Sequence, residues 1–137
     1  MNYKLINHTA DLGIHVFGPD LEKLFANGAY AMFQLITPTE KLEVKDNLTI
    51  KVSGYDWPDL MVNWLRELLY LFNGEKKLVK SISIISLAKY DICANLKIDS
   101  FVHNRHLINN DIKAVTYHQI FVEKESKGWK AGIIFDV

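Results

Sequence analysis

Apolar and polar positions repeat along this chain of 137 residues first with the period of a strand and then with that of a helix. Leu12, Ile14 and Val16 alternate with Gly13, His15 and Phe17, so residues 3–17 read as two short strands around a polar knot. Gly18-Pro19-Asp20 is a turn whose aspartate suits a helix N-cap. A helix is predicted over 21–36, with Leu21, Leu24, Phe25, Gly28, Met32, Leu35 and Ile36 forming one apolar stripe. Thr37-Pro38 stops it, because proline disfavours helical backbone at the preceding residue. Leu48, Ile50 and Val52 alternating with Thr49, Lys51 and Ser53 predict a half-buried strand. Asp56-Trp57-Pro58-Asp59 opens a second helix with proline in its first turn, and Asn73-Gly74 closes it. Leu60, Met61, Trp64, Leu65, Leu68, Leu69 and Phe72 cover more than half of that helix, leaving Asn63, Arg66, Glu67 and Tyr70 as its polar stripe. The remainder reads as strands at 79–87 and 90–98 joined in a hairpin around Ala88-Lys89, a polar loop over 99–111, and strands at about 112–122 and 129–136.

Helices and strands do not alternate strictly, which argues against a doubly wound parallel sheet. The order predicts an α+β fold, two helices packed on mostly antiparallel β-sheet, in a single domain over 1–137. No linker, low-complexity tract or clear internal repeat is evident. With 49% hydrophobic residues the chain can build a core without disulfide staples. Its only cysteine, Cys93, excludes an internal disulfide and fits a reducing compartment; within an alternating strand it reads as a small half-buried residue rather than a nucleophile. No apolar run reaches membrane-spanning length, and Met1-Asn2-Tyr3-Lys4 passes directly into a strand pattern, so a cytoplasmic setting is expected.

Charge narrows the partners. Sixteen basic and 16 acidic residues give a formal net charge of +0. Tight, direct nucleic-acid binding ordinarily draws on a basic excess that neutralises phosphates, so a protein partner or small ligand is expected instead. Glycine-rich phosphate loops, nucleophile elbows and paired metal-ligating histidines are all missing.

Three strings carry candidate chemistry. His8-Thr9-Ala10-Asp11 interrupts two strand-like runs, and an Asx or ST turn is enough to explain it by spacing alone. The ending Phe135-Asp136-Val137 sets a side-chain carboxylate beside a terminal one; such hard oxygens suit calcium or magnesium if a third carboxylate joins them, for which Asp11 is the natural candidate, whereas a solvated terminus is the plain alternative. In Asp111-Ile112-Lys113-Ala114-Val115-Thr116-Tyr117-His118, a strand would place Lys113, Val115 and Tyr117 on one face and Ile112, Ala114, Thr116 and His118 on the other. Lys113 is an ordinary edge charge unless it points toward carboxylates.

These strings, in this order, resemble the archease family. Asn7-His8-Thr9-Ala10-Asp11-Leu12-Gly13-Ile14 is similar to its N-terminal signature, Leu21-Glu22-Lys23-Leu24-Phe25-Ala26-Asn27 and Asn63-Trp64-Leu65-Arg66-Glu67-Leu68-Leu69 to its helices, and Ile112-Lys113-Ala114-Val115-Thr116-Tyr117-His118 with Asp136-Val137 to its C-terminal part. The resemblance implies a small cytosolic activator of an RtcB-type RNA ligase in tRNA splicing, not itself an enzyme, that promotes ligase guanylylation and repeated turnover. It also implies a chaperone-like role toward a tRNA methyltransferase as an alternative. It further implies a divalent-cation site, calcium by preference with magnesium or manganese as alternatives, at Asp11, Asp136 and the Val137 main chain, with His8, Lys113 and His118 facing the partner. One stretch departs from the family pattern: in Asp99-Ser100-Phe101-Val102-His103-Asn104-Arg105-His106, Asp99 stands where the family has a glutamate and Val102 where it has an acid, while His106 is kept. A contribution of Asp99 and His106 to the site is therefore the weakest part of the expectation. A metal-dependent hydrolase or small-ligand binder using the same acids is the rival reading; His8 and His118 would be its only nearby bases.

Overall fold

The computed structural model describes residues 2–7 and 11–137. In chain order it contains β1 (Tyr3–Asn7), β2 (Asp11–Gly18), α1 (Leu21–Ile36), a short 3-10 turn (Thr39–Lys41), β3 (Asp46–Ser53), α2 (Trp57–Asn73), β4 (Lys77–Ala88), β5 (Asp91–Ser100), β6 (Ala114–Val115), β7 (Phe121–Glu125) and β8 (Gly128–Asp136). All strand pairs are antiparallel. One sheet runs β1-β2-β8-β6, with β7 pairing farther along β8, and the other runs β3-β5-β4. This is the expected α+β arrangement.

Both helices touch both sheets: α1 packs on β2 and β4, and α2 on β3, β4 and β6. That double contact explains why burial on α1 is broader than a single stripe, with Ala29, Ala31 and Phe33 inside along with Leu24, Phe25, Met32 and Ile36. On α2 the exposed positions are Arg66, Glu67, Tyr70 and Asn73. Trp64 is fully buried at the centre, and its indole N–H donates to the Phe25 carbonyl of α1 at 2.9 Å. A buried indole ordinarily finds such a partner, and here the bond locks the two helices together.

The structure corrects the absence of a repeat. Val16-x-Gly18-x-Asp20 followed by Leu24 and Asn27 recurs as Val52-x-Gly54-x-Asp56 followed by Leu60 and Asn63, every position offset by 36 (54 − 18, 56 − 20, 60 − 24, 63 − 27). Each element of the pattern does the same work twice. Asp20 caps α1 by accepting from Lys23 N–H at 2.8 Å, and Asp56 caps α2 by accepting from Asp59 N–H at 2.8 Å. The Asn27 amide donates to Phe17 O at 2.8 Å, and Asn63 to Ser53 O at 3.0 Å, tying each helix back to the strand before it. A Cβ on Gly18 would lie 2.6 Å from Leu24 N, and one on Gly54 2.6 Å from Leu60 N. So few positions are constrained that the similarity is invisible until the contacts explain it. Because backbone atoms cannot swing aside, Gly54→Ala and Gly18→Ala should each lose about 1–3 kcal/mol, as overpacking does; urea unfolding followed by circular dichroism measures it.

The predicted strand over 112–122 is corrected to two pieces. Only Ala114–Val115 and Phe121–Glu125 are strand, separated by a turn in which Ile120 N–H donates to Tyr117 O at 3.2 Å and Gln119 takes a left-handed backbone with φ 54°. Ile112 and Val115 are both buried, so the alternation assigned to this segment fails before His118, which lies in the turn. Of the described residues, no helix is long and apolar enough to cross a membrane.

Candidate functional site

The outer ends of β2, β8 and β6 meet in one register row. Asp11 lies opposite Asp136, and Asp136 opposite Ala114. Residues directly opposite in an antiparallel pair share a face. Leu12, Ile14 and Val16 with Phe135, Ile133 and Ala131 face the helices, which leaves Asp11 and Asp136 together on the outer face. β8 is held at that end by main-chain bonds: Lys113 N–H donates to Asp136 O at 2.8 Å, and Thr116 N–H to Ile134 O at 3.0 Å. Strand pairing thus sets Asp11 directly opposite Asp136.

Two like charges directly opposite across a ladder destabilise it unless something neutralises them. No ion pair among the described residues engages either carboxylate. The pair supplies two hard oxygen groups of the kind calcium and magnesium select, and Val137 follows directly, half exposed. Among the described residues no three His, Cys, Asp or Glu side chains form a metal-sized group, so further donors would come from main-chain oxygens, water or a partner. The expectation for His8 lies outside the described residues.

Lys113 reaches this end through its backbone, while its ammonium pairs with Asp111 Oδ2 at 2.7 Å, both groups being exposed. Beside it, α2 braces the segment. Asn73 donates to Ile112 O at 3.1 Å, and Arg66 Nε to Val115 O at 3.0 Å. The Arg66 guanidinium lies 4.6 Å from the centre of the Tyr117 ring, whose hydroxyl donates to Asp59 Oδ1 at 2.7 Å. That bond, followed by one from Tyr55 N–H, holds the Asp59 carboxyl below the usual range, and it raises the Tyr117 phenol in turn. His118 is exposed, its N–H directed to Thr116 Oγ1 at 3.2 Å.

Asp99 and His106 form a separate, interior cluster. Asp99 Oδ1 accepts from Ser100 N–H at 2.8 Å, Oδ2 from Glu43 N–H at 2.9 Å, and the Arg105 guanidinium spans both oxygens at 2.9 and 3.0 Å. His106 Nδ1 accepts from Val102 N–H at 2.9 Å, which leaves Nε2 as the protonated nitrogen that donates to Asp99 Oδ2 at 3.1 Å. Every polar atom of this pair is engaged internally, so its role here is to shape the loop leading to Lys113. Sequence reasoning missed Arg105, Arg66 and Asp59, whose partners lie 6, 49 and 58 positions away in the chain.

Known proteins match this chain along nearly its whole length. The model of the archease protein family matches residues 3–137. The protein archease of Methanosarcina mazei is 33% identical over 98% of this chain and 95% of its own length, and that of Archaeoglobus fulgidus 30% identical over 100% of both. Among solved structures, protein 1598 of Methanobacterium thermoautotrophicum superposes with a TM-score of 0.81 at 26% identity, covering 99% of each chain. An archease of Thermotoga maritima, described as a possible chaperone, shares the fold with a TM-score of 0.68 at 18% identity over 98% of this chain and 96% of its own.

Proposed function

Because the chain belongs to the archease family, we propose that it is a protein cofactor of an RtcB-type RNA ligase, presenting the Asp11–Asp136 end of its five-stranded sheet to the enzyme. The observation that carries the reading is the register of β2 and β8, which puts two carboxylates from opposite ends of the chain face to face on the outer surface. A divalent cation bound there, calcium by preference with magnesium or manganese as alternatives, would supply the positive charge that the pair requires. Asp11 and Asp136 would bind it with the Val137 main chain, and Lys113, two positions after Asp111, would meet the partner beside it. The helices brace this end, α1 on β2 and α2 on β6, as a surface that must dock in one geometry requires. The zero net charge supports action through the enzyme rather than by gripping RNA directly. His8 and His118 belong to the same reading as partner-facing groups, and promotion of guanylylation and of repeated turnover is the activity it assigns.

The test is multiple-turnover joining of tRNA exons by the cognate ligase, with GTP and manganese. Wild-type protein is expected to sustain turnover, and Asp11→Ala and Asp136→Ala to lose at least about tenfold of the stimulation, the loss of one charged contact of roughly 1.4 kcal/mol or more. Variants that fold, by circular dichroism, and stimulate fully would refute the site. A general folding helper would stimulate regardless of these two residues.

A further inference from the structure

The outer face of the five-stranded sheet continues inward from the two aspartates as an ordered series of rows. Asp11 and Asp136 form the first. Gly13 and Ile134, with Ile6 of β1, form the second. His15 and Gly132, flanked by Lys4 of β1 and Phe121 of β7, form the third. Lys130 follows beyond, its ammonium 5.9 and 5.8 Å from the Phe17 and Phe121 rings, with Glu123 opposite it. Across the second and third rows lies a hollow of about 150 Å³ lined by Ile6, Gly13, His15, Phe121, Gly132 and Ile134. Its walls are apolar or aromatic apart from Gln119. The Phe121 ring lies down on the sheet because Gly132 has no side chain: a Cβ there would run into it. His15 meets that ring edge-on at 5.6 Å. Burial, then Lys130 and Lys4, lower the histidine's pKa, so it lines the hollow as a neutral ring near neutral pH.

A hollow of this volume, open to solvent on one side, accepts one aliphatic or small aromatic group. The charges at its two ends are opposite: carboxylates in the first row, Lys4 and then Lys130 at and beyond the third. Asp136 and Gly132 are four positions apart on β8 (136 − 132), about 13 Å at strand rise. An extended segment spans that distance with three side chains on one face.

We propose that this face docks an extended segment of the partner protein that carries a basic residue, an apolar residue and an acidic residue at alternate positions, the apolar side chain entering the hollow between Ile6, Ile134 and Phe121. The inference rests on the chain working through a protein partner, as proposed above, whichever enzyme that is; the segment's basic residue meets Asp11 and Asp136 when no cation occupies them. Charge order fixes which end of the segment meets the aspartates, and the hollow fixes its register.

The probe is the capped pentapeptide Arg-Thr-Leu-Thr-Glu, titrated into the full-length protein in the presence of a metal chelator and followed by amide chemical shifts. Saturable shifts at Gly13, His15, Gly132 and Ile134 are expected. The peptide Arg-Thr-Leu-Thr-Arg, mismatched at one end in either direction, and the alanine form Arg-Thr-Ala-Thr-Glu should each bind about tenfold more weakly, the loss of one charge match or of one buried leucine side chain. Ile6→Asp, at a half-buried edge position, should abolish the shifts while leaving the thermal transition in place. Absence of shifts, equal binding of all three peptides, or concentration-dependent shifts at these residues without peptide, which would mean a second copy of this chain is the occupant, each overturn the proposal. Because no ligase and no metal enter the measurement, failure of the ligase reading leaves its outcome distinguishable.

Discussion

Asp99→Asn should destabilise the protein by about 3–5 kcal/mol, the usual cost of removing one partner from a buried ionic cluster. Its side chain is fully inaccessible, yet it receives two backbone N–H groups, a guanidinium and an imidazole. Asparagine keeps the shape but turns one acceptor into a donor, which then opposes Arg105 and either Glu43 N–H or Ser100 N–H. Against a typical total of about 5–15 kcal/mol, such a loss brings the midpoint of urea unfolding close to the absence of denaturant. The same group sets an acid limit. Burial pushes the Asp99 carboxyl up, but the Glu43 N–H bond, Arg105 and His106 outweigh it and leave it below the ordinary value. A carboxyl that is more acidic in the folded state contributes fully above the unfolded-chain value, near about 3.9, and that contribution is lost as pH falls through the lower folded value. Wild-type stability should therefore fall below about pH 4 more steeply than that of Asp99→Asn, as urea midpoints measured across that range would show. Equal slopes would mean that folding leaves the Asp99 carboxyl at its ordinary value, and a shallower wild-type fall that folding raises it.

Trp64→Ala is the second large effect, also about 3–5 kcal/mol, as for other buried aromatic truncations. Trp64 has 0% exposure, and its indole bridges the two helices through Phe25 O. Trp64→Phe keeps most of the volume and removes the donor, so it should fall between wild type and alanine. The ordering, read from urea midpoints at constant denaturant slope, separates volume from hydrogen bonding. If phenylalanine costs as much as alanine, the bond matters more than the packing.

Much of the architecture is legible from periodicity. Both helices begin and end where Asp20, Thr37, Asp56 and Gly74 place the boundaries, since capping is a local property of a few side chains. The hairpin around Ala88-Lys89 is equally local. What alternation could not show is the break after Val115. The turn at Tyr117 is held by a bond to Asp59, 58 positions away, and no window of sequence contains both. The candidate site divides in the same way. Asp11, Asp136 and Lys113 stood out through resemblance, and the register then supplied the physical link between the first two. Asp111, the actual ion partner of Lys113, drew no attention because it is only an exposed acid before a strand. Gly18 read as a turn residue and Gly54 drew no reading, and the real constraint on both is the helix backbone folded against them.

The repeated strand–helix unit has a consequence for orientation. Under the offset of 36, Asp11 corresponds to Asn47 (47 − 11 = 36), and while Asp11 faces Asp136 across its sheet, Asn47 faces Lys97. Two copies of one scaffold thus open on strand ends of opposite electrical character. A partner that sensed shape alone would meet two interchangeable approaches, and one that senses charge meets a molecule with a single front.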